Sequence, residues 1–153
     1  IGNDLLLGIG KDATDTGRTL GVKVSLFNVA DMQNPSELGS ISIGGRGTHS
    51  ALSYETHAFT GIQQDDLYRF AFPISVRDDN YHWLHSGLFM FEIENNVMSQ
   101  SGSMITDRNS GDQYYDSWNT RRGLIQGDDV YHLSGPDLYK ADWNAPEEMS
   151  DKF

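Results

Sequence analysis

The sequence contains no cysteine. A disulfide framework, a thiolate nucleophile, an iron–sulfur centre and a Cys-based zinc site are therefore excluded. Basic residues are scarce, with 11 Lys and Arg against 22 Asp and Glu. The formal charge of -11 repels phosphate backbones and anionic lipid heads, so nucleic acid and anionic membranes are poor partners. No apolar run approaches the roughly 20 residues of a transmembrane segment, and no charged start leads into an apolar signal segment. No stretch carries the periodicity of a long helix. What the 153 residues do have is 16 glycines and 37% hydrophobic residues. The apolar residues fall in short segments bounded by Gly, Asp, Asn and Pro, the pattern of an all-β chain of many short strands. The first residue is Ile1 rather than Met, which predicts a processed or excised piece.

Alternation is clearest in Gly21 to Val29, where Val22, Val24 and Leu26 share one face before the turn signal Gln33-Asn34-Pro35-Ser36. Gly87 to Asn95 repeats it, but Phe89, Phe91 and Ile93 oppose Leu88 and Met90, so this strand must be covered on both sides. The unit recurs three times. Aligned on Phe27, Phe91 and Ala141, the copies are spaced by about 64 and about 50 residues, which reads as divergent β-propeller blades with inserted loops. The first unit, roughly 1–45, predicts strands at 5–10, 22–30 and 38–44. The second, 46–106, predicts a full set at 57–62, 67–75, 87–94 and 97–105. The third, 107–153, predicts 122–126, 129–134 and 137–143 and then loses its strand pattern. The expected fold is a partial β-propeller, one complete four-stranded antiparallel blade between two incomplete ones. Such an arc leaves apolar faces and strand edges open, and homo-oligomerisation through the exposed blade edges is one way to cover them.

The stretches LLLGIGKDATDTGRTLGVKVSLFNVADMQNP, SALSYETHAF and RRGLIQGDDVYHLSGPDLYKADW resemble a family of secreted prokaryotic proteins with a C-terminal β-propeller distantly related to WD40 repeats. The resemblance implies the C-terminal portion of a larger propeller domain in an exported, periplasmic or cell-surface protein. It transfers no general biochemical activity.

Several constellations carry chemistry worth testing. Asp107, Asn109 and Asp112 space oxygen ligands like the start of a calcium loop, but Trp118 stands where that loop needs a bidentate Glu. Asp12 and Asp15 form a second oxygen-rich loop. Calcium is the only cofactor these patterns suggest, and a solvated turn is the alternative for each. Tyr81, His82, Trp83 and His85 form an aromatic, histidine-bearing loop that reads as a partner-binding surface, with metal ligation or packing on a neighbouring blade as alternatives. His57 sits at the entry to an innermost strand, where a buried imidazole tied into hydrogen bonds serves a structural role. His49-Ser50 lacks a nucleophile elbow, Gly44-Gly45-Arg46-Gly47 lacks a phosphate-loop ending, and the adjacent carboxylate pairs point to opposite strand faces. No residue is assigned a catalytic role. The expectation is a non-enzymatic extracytoplasmic binding or scaffold module for a protein or glycan at the cell surface; the alternative is part of a propeller hydrolase acting on polysaccharide or peptide.

Overall fold

The computed structural model describes residues 1–2, 4–108 and 121–150. Three antiparallel sheets follow one another along the chain. The first comprises β1 (Leu5–Ala13), β2 (Thr19–Asn28) and β3 (Ser36–Ile43) in spatial order. The second contains β4 (His49–Ser50), β5 (Thr60–Gln64), β6 (Leu67–Arg77), β7 (Trp83–Glu94) and β8 (Val97–Arg108). Here β6, β7 and β8 run side by side, and β4 and β5 both pair with the inner edge of β6. The third comprises β9 (Arg121–Gln126), β10 (Asp129–Ser134) and β11 (Asp137–Asp142).

The middle sheet is buried on both faces, as the two-sided apolar pattern of β7 requires. Phe70, Phe72, Phe89 and Phe91 pack with Val22, Val24 and Leu26 of the first sheet. On the opposite face, Ala71, Leu88, Met90 and Met104 pack with Ile125, Val130, Ala141 and Trp143 of the third. The middle sheet thus gives one face to the sheet before it and the other to the sheet after it. Gly123 permits the second of these contacts, because a β-carbon there would lie 2.7 Å from Leu88 Cδ1.

The innermost strand of the middle sheet departs from expectation. The alternation predicts one strand at 57–62, but Ala51–Ser53 and Thr56–Ala58 form 3-10 turns between β4 and β5. Pro73 of β6 explains the break. It lies between the residues that pair with β4 and those that pair with β5, and it has no N–H to offer the ladder. Its carbonyl accepts instead from the Ser50 hydroxyl at 2.9 Å. The interrupted strand therefore bulges outward between residues 51 and 59.

The third sheet has no fourth strand among the described residues, and a non-strand tail covers its outer edge. Asp142 bridges to Ala145, the Ser150 amide donates to the Lys140 carbonyl at 2.8 Å, and the Lys140 amide donates to Ser150 Oγ at 3.0 Å.

Candidate functional site

One end of the stacked sheets gathers the 44–48 connection, the β6–β7 hairpin loop and the close of β8. Thr48 organises this end from a fully buried position. Its hydroxyl donates to the Arg77 carbonyl and accepts from the Arg77 amide, standing in for a missing backbone ladder. Its carbonyl accepts from Lys11 Nζ at 2.6 Å, which ties β1 to the same end.

The hairpin loop is built by Asp78. Its Oδ1 accepts from the amides of Asn80 and His82, and its Oδ2 lies 3.0 Å from His82 Nδ1. Desolvation works to raise the Asp78 carboxyl, but the bonds from the His82 ring and from the two amides outweigh it and hold it below the usual carboxylate range. Tyr81 takes the left-handed conformation at φ 67° and is 57% exposed. Arg77 Nη1 donates to its carbonyl at 2.9 Å, and its ring lies beside Gly47, where a β-carbon would approach within 3.0 Å of Cδ1. The loop, its backbone anchored by Arg77, thus presents an exposed phenol next to an exposed imidazole.

The four sequence-predicted recognition residues are divided rather than gathered. Tyr81 and His82 stand in solvent, whereas Trp83 and His85 belong to β7 and are half-buried. Trp83 Nε1 donates to Ser86 Oγ, which donates to Ser75 Oγ inside the sheet. The His85 ring stacks on Phe89 and lines a hollow of about 490 Å³ with Ser103, Arg108 and Glu147. Burial, and then the charge of Arg108 across the strand pair, hold His85 below the usual imidazole range.

Of the candidate calcium ligands, Asn109 and Asp112 lie outside the described residues. Asp107 is the penultimate residue of β8, where it accepts from Arg121 Nη2 at 3.2 Å and from Ser134 Oγ at 3.4 Å. Asp12 accepts from the Ser42 hydroxyl at 2.7 Å, and Asp15 is exposed in the β1–β2 turn. Among the described residues no three His, Asp or Glu side chains come close enough to share a metal ion.

The reading of His57 as a buried structural imidazole is corrected. Its side chain is 78% exposed on the second 3-10 turn, with Nδ1 2.8 Å from Glu55 Oε1. The Pro73 break pushes this segment out of the ladder, which removes the burial the reading required. The buried imidazole is His132 of β10, which is fully enclosed and has no hydrogen-bond partner on either ring nitrogen among the described residues. Burial, and then the charge of Arg121, push it down to about 3. The alternation of Val130 and His132 on one face of β10 was the available signal for it.

A second polar device joins the middle and third sheets and had no signal in local sequence. Arg69 of β6 donates from Nε to Glu92 at 3.0 Å and from Nη1 to Asp128 at 2.6 Å, with its guanidinium 5.1 Å from the centre of the Trp143 ring. Trp143 Nε1 donates to the same Glu92 oxygen at 2.6 Å. Desolvation opposes the charge on Arg69, but the bonds to Asp128 and Glu92 prevail and its pKa is raised.

Among known proteins, the family model described as Beta propeller domain matches residues 1–145. An uncharacterized protein of Methanocaldococcus jannaschii is 33% identical over 84 residues, which cover 52% of this chain and 12% of that relative. The chain therefore spans only a small part of the relative's length. No solved structure matches it.

Proposed function

Because this chain belongs to the beta propeller domain family, we propose that it is a non-enzymatic interaction or scaffold module that binds a protein or glycan partner through its loop-bearing end. The observation that carries this reading is the exposure of Tyr81 on a loop whose backbone Arg77 anchors. An exposed aromatic whose backbone is already anchored needs less ordering when a partner covers it, which is the economy that favours tyrosine in recognition surfaces. His82, oriented by Asp78, adds a directional polar contact beside it. The residue ranges 1–45, 46–106 and 107–153 are read as successive blades, the middle one complete. The resemblance of the opening and closing segments to exported, WD40-like propeller proteins supports placing the module outside the cytoplasm, as the C-terminal portion of a longer propeller.

The test is a labelled chain on glycan and peptide arrays. Tyr81→Ala and His82→Ala are expected to weaken any array signal at least about tenfold, each at an unchanged melting temperature. Signals that survive both substitutions would show that the loop end is not the binding surface.

A further inference from the structure

The middle and third sheets are tied together, among the described residues, by side-chain bonds of one chemical kind. Arg69 of β6 reaches Asp128 in the turn between β9 and β10, and Trp143, just past β11, reaches Glu92 of β7. Asp107 of β8 accepts from Arg121 at the start of β9 and from Ser134 at the end of β10. At the inner edge Glu55, which also holds His57, lies 3.5 Å from Arg122 of β9. Each of these bonds ends on a carboxylate. The first and middle sheets are tied differently, because Lys11 bonds to the Thr48 carbonyl, which takes up no proton in mild acid. The donors matter as well. The side chains of Arg69 and Arg121 are only 9% and 7% exposed, and a guanidinium keeps its charge throughout the range in which carboxylates titrate. Along β10 the enclosed His132 stands between the two ends that meet these cations. The ionisable groups packed around it are Asp107 from β8, Arg121 from β9 with Tyr54 beside it, and Asp137 and Tyr139 of β11, which share its face by register. Arg69 of β6 and Glu92 of β7 lie further along the same interface, and Glu147 and Glu148 of the tail are exposed.

We infer that this joint is an acid-released seam: on acidification the third sheet parts from the middle sheet while the first and middle sheets stay together. Protonation of Asp107, Asp128, Glu92 and Glu55 turns charge-assisted bonds into weaker neutral ones. It also leaves two enclosed guanidinium groups without their counter-charges, which is strongly destabilising. His132 acts in the same direction. In the closed form burial, and then the charge of Arg121, hold it down to about 3, whereas in an opened form it takes a proton near its ordinary value of 6.5. Below that value the opened form binds more protons than the closed one, so each step down in pH favours opening until the closed form titrates as well. Three cations then share one interface from which the opposing charges have gone. The parting uncovers Leu88, Met90 and Met104 on one side and Val130 and Trp143 on the other, apolar surface that is offered to a partner in acid and withheld at neutral pH. Both sheets of the seam lie inside the chain, next to each other in sequence.

Hydrogen exchange read by mass spectrometry on the 153-residue chain, between pH 7 and about pH 4 and corrected for the intrinsic effect of pH on exchange, tests this. Detached from its covered face, a three-stranded sheet frays. Amides of β10 and β11 are therefore expected to lose protection at least about tenfold, while those of β2 and β6 lose less than about twofold. An equal loss in all three sheets means that acid unfolds the chain as one unit, and unchanged protection in β10 means that the seam does not respond; either result overturns the inference. Asp128→Asn imitates the protonated carboxyl at a side chain that is 67% exposed, so the fold is kept. It should raise exchange in β10 at pH 7 at least about threefold, whereas Glu37→Gln, in the Lys23 pair of the first sheet, should leave β10 unchanged. No response to Asp128→Asn, or the same response to both, would refute the carboxylate mechanism. His132→Phe should move the midpoint of opening to lower pH, and an unmoved midpoint would strike His132 from the device.

Discussion

The two internal interfaces solve the same packing problem by different means. Toward the first sheet the middle sheet presents an aromatic face, with Phe70 stacked against Phe91 at 5.1 Å and Phe72 against Phe91 at 5.4 Å, on which the aliphatic Val22, Val24 and Leu26 pack. Between the middle and third sheets smaller residues meet, and polar groups are enclosed with them: His132, and Arg69 bound to Glu92 and Asp128. The first interface rests on apolar area. The second fixes position more sharply, because ion pairs and hydrogen bonds are directional, but its stability is tied to the charge state of a few groups.

Four measurements sharpen or break this contrast. The largest effect is expected at the aromatic interface, where Phe70→Ala removes a fully buried ring and should cost about 3 to 5 kcal/mol in denaturant unfolding. A loss below about 1 kcal/mol would mean that the phenylalanine stack is not the main support.

Acid should act at the other interface. The unfolded His132 imidazole takes a proton near 6.5, whereas the native one resists protonation down to about 3. Below about pH 6.5 the unfolded state is therefore favoured, by up to about 1.4 kcal/mol per pH unit, until the native value is reached. His132→Phe should flatten that part of the stability profile. Parallel profiles for the two proteins would refute the assignment.

Gly123→Ala probes the leucine seat at the same interface. The new methyl group would press on Leu88 Cδ1 and Thr60 Cγ2, at a cost of about 1 to 3 kcal/mol. A Leu88→Ala background should recover part of that cost, and strict additivity of the two losses would show that the contact is not shared. The smallest effect on folding is expected for Tyr81→Ala, within about 0.5 kcal/mol, because the ring is exposed. A melting temperature lowered as much as in Gly123→Ala would move Tyr81 from recognition to architecture.

Much of the sheet framework was legible residue by residue. The alternation of Val22, Val24 and Leu26 places β2 and its buried face, and the doubly apolar run around Phe89 and Met90 already demands cover on both sides. The candidate site was less legible. Tyr81 and His82 stand in solvent as a recognition loop requires, yet Trp83 and His85 were drawn into β7 by pairing with β6 and β8. His57 was displaced by a proline sixteen residues further along the chain.

By itself the sequence determined where strands form and which side chains share a face, because period-two alternation is a property of adjacent residues. Only the tertiary structure decided which faces meet. It enclosed His132, joined Arg69 to Asp128 across 59 residues and split the inner strand opposite Pro73. The reason is physical: burial and ion pairing are set by surfaces that come together only when distant strands stack, and no local pattern encodes the partner.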